Sequence, residues 1–187
     1  PVIIRGVVTC VLPEHQAFTL QDATRGLYVV DCSPNRSDPP QPGEYLEIEG
    51  TTDPGLFAPV VHARRVASTG AGRLPEPIKP TWDQLINGSL DAQHVELQGI
   101  ITAVQTNALT LLMRGGVVKI ELRLAGRSSL PPLPVETALV RIRGCLFASW
   151  DYVTHQVKMG DVRIYEADLR VDQPAPQDLF SSPRKTA

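Results

Sequence analysis

The side chains able to do chemistry are few in this sequence, and their spacing does not suit a reaction. Glu47 and Glu49 stand two residues apart, and paired carboxylates are the equipment of acid–base catalysis. They alternate with Leu46 and Ile48, however, which puts both on the wet face of a strand. A later strand of the same pattern carries Arg141 and Arg143 at the matching positions, and opposite charges at equivalent sites describe a solvated face. His15, His62, His94 and His155 occur singly, and Cys10, Cys32 and Cys145 are too scattered for a zinc site or a disulfide framework. The three cysteines are read as buried free thiols, with a Cys10–Cys32 bridge as the alternative. Gly70-Ala-Gly72 lacks the rest of a nucleotide-binding fingerprint, and Gly115-Gly116 falls in a hairpin turn. No serine elbow is present. The expectation is a chain without catalytic residues, metal or cofactor.

Binding is carried by other residue types. Aromatic residues make up only 5% of the chain. Phe18 and Tyr28 fall on strands and are read as core or turn packing. The candidate contact residues are Phe57, Trp82, Trp150 and Tyr152. Phe57 lies in the loop Gly50-Thr-Thr-Asp-Pro-Gly-Leu-Phe-Ala-Pro59, which reads first as a tight turn and second as a rim shaping a pocket. Trp150 and Tyr152 precede the last strand, where barrel folds place contact loops. Charge gives little support to a phosphate-gripping role: 18 basic against 20 acidic residues leave −2. Residues 1–70 carry net −3 and residues 94–170 net +2, so a continuous basic track is not expected.

These residues must be held by strands. Seventeen prolines and 14 glycines punctuate short runs of Val, Ile, Leu and Thr, the composition of an all-β protein. A first long strand bends at Gly6; a hairpin follows around Asp22-Ala-Thr-Arg-Gly26, then a pair of strands after a proline-rich loop. The same events recur downstream. Gly99 follows Gly6 by 93 residues and Gly144 follows Gly50 by 94, with similar strand segments between. The chain is a duplication. Five antiparallel strands with a bent first member close economically as a Greek-key barrel, so the predicted fold is two tandem five-stranded OB-like barrels. A pair of SH3-like barrels is the rival. The expected organisation is a first barrel over 1–70, a proline-rich linker with one short helix over 71–93, a second barrel over 94–170 and a Pro/Ser-rich exit linker over 171–187. Trp82, Leu85 and Ile86 share one side of the helix and are expected to wedge the two units together rather than plug a barrel end.

No apolar run approaches the roughly 20 residues of a membrane span. The sequence opens at Pro1 inside a strand pattern, which reads as an excised fragment.

Several segments in order are similar to the extracytoplasmic tandem OB-like region of bacterial membrane-bound sensor histidine kinases. They are Pro1-Val-Ile-Ile-Arg-Gly-Val-Val-Thr9, Leu20-Gln-Asp-Ala-Thr-Arg-Gly-Leu-Tyr-Val29, the loop from Gly50 with Val60, Leu74-Pro-Glu-Pro77, Asp91-Ala-Gln-His-Val-Glu-Leu-Gln-Gly99, Val140-Arg-Ile-Arg-Gly144 and Pro174-Ala-Pro-Gln-Asp-Leu-Phe180. The resemblance implies a non-catalytic, extracytoplasmic sensor module of a two-component system. Its partner would be a small ligand or protein, the parent would be membrane-anchored, and self-association as a homodimer is compatible with it. It brings no catalytic residues. In the second unit the loop equivalent to 51–59 becomes Cys145-Leu-Phe-Ala-Ser-Trp-Asp-Tyr-Val153, a departure from a shared ligand site. The alternative function is a single-stranded nucleic-acid-binding OB tandem.

Overall fold

The computed structural model describes residues 1–33, 39–123 and 133–176. Most of the exit segment from Pro174, including Phe180, lies outside the described residues, as does much of the proline-rich loop before Gly43. Among the described residues ten strands, one short α-helix and a 3-10 turn at Pro13–His15 follow in order: β1 (Val2–Leu12), β2 (Ala17–Gln21), β3 (Gly26–Asp31), β4 (Glu44–Asp53), β5 (Val60–Ala71), α1 (Trp82–Ile86), β6 (Gln93–Val104), β7 (Ala108–Met113), β8 (Gly116–Arg123), β9 (Leu139–Trp150) and β10 (Val157–Gln173), with the 3-10 turn between β1 and β2. They form two five-stranded sheets, β1-β2-β3-β5-β4 and β10-β8-β7-β6-β9, and each closes on itself. Closure satisfies the backbone donors and acceptors that an open edge would leave free.

The two sheets repeat each other in register. β1 pairs with β2 and β4, and β6 pairs with β7 and β9. The third and fifth strands run parallel in both, β3 with β5 and β8 with β10. The bulge between Val8 and Cys10 recurs between Ile101 and Ala103. The repeated glycines have a shared physical cause. A Cβ on Gly6 would lie 2.7 Å from the carbonyl oxygen of Gln21, and one on Gly99 would lie 2.9 Å from that of Leu112. At both places the first strand crosses over its neighbour too closely for a side chain.

Each barrel has its own apolar core. Phe18, Leu20, Leu46 and Ile48 lie in the first, so Phe18 is core packing. Leu97, Ile101, Leu109, Ile120 and Ile142 lie in the second. Thr81 caps α1, its hydroxyl accepting from Gln84 N while the Gln84 side chain accepts from Thr81 N. The helix does not wedge the two units together as expected. Leu85 is buried in the core of the second barrel and Trp82 packs against that core, its ring lying over Gly115 and Gly116 in the β7–β8 turn. An amphipathic side specifies that a helix has an apolar neighbour, not which of two it will cover.

A third cluster joins the barrels: Cys10, Leu12 and Ala17 from one, Cys145, Phe147 and Tyr165 from the other, with Ala92 between. Cys10 and Cys145 are buried and adjacent, and their mutual hydrogen bond and burial push the Cys10 thiol far up. Cys32 is exposed rather than buried, and all three thiols are free. Two glutamines tie the backbones across the same boundary. Gln93 accepts from Gly26 N at 2.9 Å and donates to Gly26 O at 3.1 Å, while Gln21 accepts from His94 N at 2.9 Å.

Candidate functional site

A cleft of about 260 Å³ opens beside this boundary, with walls drawn from both barrels. The β4–β5 loop supplies one wall. Asp53 Oδ1 accepts from Gly55 N at 2.7 Å, and Gly55 has φ +64°. That turn drives Phe57 inward, so the loop does shape a pocket. The opposite wall is the end of β9 and the turn after it. Asp151 Oδ1 accepts from Val153 N at 2.9 Å and Thr154 N at 2.8 Å, and those bonds hold its carboxyl below the usual range. The turn is thereby set with Tyr152 projecting, 70% exposed.

Three of the four aromatic residues singled out in the sequence come together here. Phe57 and Trp150 stack with ring centroids 5.7 Å apart and planes 9° from parallel, across the barrel boundary. Tyr152 lies against Trp150 at 4.4 Å, and His155 meets the same indole edge-on at 5.9 Å. Trp82 is placed elsewhere, over the β7–β8 turn. Deeper in, Phe147 packs edge-on against both Tyr28 and Tyr165. Burial pushes the Tyr28 hydroxyl up to about 12 and raises that of Tyr165, so both remain protonated.

Two opposite charges that sequence reasoning missed line the same cleft. Asp91, in the turn before β6, accepts from Ala148 N at 2.9 Å through Oδ1. Arg163, on β10, donates through Nη2 to Ala148 O at 3.1 Å. The backbone N–H and C=O of one residue, Ala148, therefore hold one charge each. Burial raises the Asp91 carboxyl from 3.8 to about 6, against the downward pull of the Ala148 bond and of the Arg163 and Arg25 charges. Arg163 Nε is buried and has no hydrogen-bond partner among the described residues. Neither residue carried a sequence signal, because Arg163 is one charged residue among several on a long strand and Asp91 sits in an ordinary turn.

Several other charged residues form ion pairs. Arg5 pairs with Glu47 and Arg65 with Glu49, so the two carboxylates face solvent in strand-to-strand ion pairs. Glu96, with only 5% of its side chain exposed, takes Arg143 at 2.5 Å and Lys79 at 3.4 Å. Among the described residues, no three His, Cys, Asp or Glu side chains group as a metal site, and no helix is long and apolar enough to cross a membrane.

No family model matches this sequence, and neither does any curated protein. Solved structures do. A murine DNA-binding protein bound to double-stranded DNA aligns over 95% of this chain and 99% of its own, with 10% identity and a TM-score of 0.45. The tetrameric p202 HIN2 aligns over 90% of this chain and 89% of its own, with 12% identity and a TM-score of 0.40. The Ifi202 HINa domain in complex with a 20-bp duplex aligns over 90% and 95%, with 7% identity and a TM-score of 0.39. The expected role as a two-component sensor module without a nucleic-acid partner is therefore corrected: the similar structures are DNA-binding and HIN domains. At these scores the likeness is remote, and what this chain binds has to be argued from its own residues.

Proposed function

We propose that the chain is a non-catalytic tandem of OB-type barrels that binds single-stranded nucleic acid across the boundary between them. The strand order, with the first strand shared between two neighbours and the third and fifth parallel, supports the reading as five-stranded Greek-key barrels of the OB type. Such barrels hold single strands by stacking bases on aromatic side chains, an interaction indifferent to sequence because every base has a flat face. The observation that carries the reading is the Phe57–Trp150–Tyr152 cluster, in which Phe57 and Trp150 stack and Tyr152 lies against Trp150 with its plane tilted by 48°. Rings from two barrels are held in series by ordered turns, and the outermost is 70% exposed. A duplex hides its base faces in its own stack, whereas a single strand offers them, and this favours the single strand as partner.

Charge plays a smaller part. Arg163 lines the cleft, and Arg25 lies close enough to act on Asp91 within it. Few phosphates are neutralised, so the logarithm of affinity should fall with the logarithm of salt at a slope no steeper than about −2, against the far steeper slopes of basic proteins.

Fluorescence anisotropy with an oligothymidylate of about 15 nucleotides tests the reading, a length that covers one to several OB sites. The Trp150→Ala and Tyr152→Ala variants should each weaken binding about tenfold or more, since stacking contributes roughly 1–3 kcal/mol per base. Unchanged affinity in both variants, or a duplex of the same length binding more tightly than the single strand, would overturn it.

A further inference from the structure

The inner part of the cleft differs from the platform at its mouth. At about 260 Å³ the whole cleft falls below the roughly 300–1,000 Å³ of pockets that take drug-sized ligands, so it has room for one flat ring system and not for two. Its walls are aromatic, from Phe57 and Trp150 to Tyr28 and Tyr165. Beside His15, the charged side chains that line it are a cation and an anion, both bound to the backbone of Ala148. Arg163 Nε–H is a buried donor with no acceptor among the described residues. A buried donor in that state costs free energy that a ligand acceptor would recover. Asp91 commits Oδ1 to Ala148 N, and no hydrogen bond to its second oxygen is seen among the described residues.

The ligand that fits is planar, apolar on its faces, and polar on one edge, with acceptors beside donors. All nucleobases share the first two properties. Guanine meets the third most fully: O6 and N7 are adjacent acceptors suited to a guanidinium, and N1–H and N2–H₂ are adjacent donors suited to a carboxylate. Adenine and cytosine bring a single amino donor to that edge. Thymine brings one N–H between two carbonyls.

We propose that the inner cleft is a pocket for a single unstacked base and that it selects guanine, Arg163 donating to O6 or N7 and Asp91 accepting from N1–H or N2–H₂. The inference rests on the reading of the chain as a single-strand binder and adds a specificity that stacking alone does not supply. The platform would hold neighbouring bases without preference, while the inner pair of charges would set the register of the strand on the protein.

The experiment compares oligothymidylates of one length that carry a single central guanine, adenine, cytosine or no replacement, titrated against the whole chain and against Asp91→Asn. The guanine oligomer should bind about tenfold more tightly than the unreplaced one, the discrimination expected of one good base-edge pair, with adenine and cytosine close to thymine. Asp91→Asn can still accept from Ala148 N, and its ratio of guanine to thymidylate affinity should fall most of the way to one, whatever its affinity for the unreplaced strand. An Arg163→Lys variant should lose it too, because an ammonium lacks the guanidinium's fixed fork. Equal binding of all four oligomers, or a preference that survives Asp91→Asn, overturns the guanine pocket and leaves single-strand binding intact. Failure of every oligomer to bind overturns both.

Discussion

Asp91 and Arg163 show how a charged pair at the cleft is kept against stability. The Asp91 carboxyl, raised by burial from 3.8 to about 6, holds its proton more tightly in the folded chain than in the unfolded one. The sign follows from linkage. The group favours folding most below about pH 4, stability falls as pH rises from there through about 6, and it is level above. At neutral pH the ionised carboxylate then costs about 3 kcal/mol relative to a neutral side chain of the same shape. Asp91→Asn should therefore unfold at a higher temperature than the parent at pH 7.5, with the difference vanishing by about pH 4. A parent more stable than the variant at pH 7.5 would show that the Arg163 charge outweighs burial. Sequence could not have pointed to these two residues. Each is a single charged side chain 72 positions from the other, and their meaning comes from the barrel boundary that brings both to Ala148. The aromatic residues were more legible, since Phe57, Trp150 and Tyr152 lie in or beside turns, where a large ring has no core of its own strand to enter.

At the level of elements, the duplicated glycines report the barrel geometry and the glutamines report the joint. Gly6 and Gly99 recur because the crossing strand leaves no room for Cβ, a constraint that any copy of the unit inherits, so the repeat could be read from spacing alone. Gly26 serves the joint instead: a Cβ there would meet the Ala92 carbonyl oxygen at 2.1 Å. Gln93 bonds both polar groups of that same glycine. Gln93→Ala would leave a buried N–H and C=O unpaired, at a cost of about 2–4 kcal/mol. Urea unfolding should show that loss in the midpoint with an unchanged slope. A loss below about 0.5 kcal/mol would mean that water reaches the joint and replaces the side chain. The helix shows what pattern cannot supply. Trp82 and Leu85 announce an apolar side, but only the folded β7–β8 turn, with Gly115 and Gly116 leaving a flat seat, decides that the ring covers the second barrel.

For the molecule as a whole, two closed sheets share one apolar joint, and the cleft exists only because they are held in one arrangement. Net charge misled the reading of function more than any motif did. A formal −2 argues against a protein that grips phosphates, yet it says nothing of a protein that takes bases by their faces, where a few rings at one place matter more than the sum of charges over the chain. The account's central claim is thus positional: single strands enter between the barrels, on rings from both. Photocrosslinking of an iodouracil-substituted single strand to the whole chain, followed by mass-spectrometric mapping of the modified residues, addresses it most directly. The account predicts adducts on Trp150 and Tyr152, with Phe57 modified as well. Adducts confined to Trp82 or to the outer strands of one barrel, or none at concentrations where the strand is bound, would contradict it.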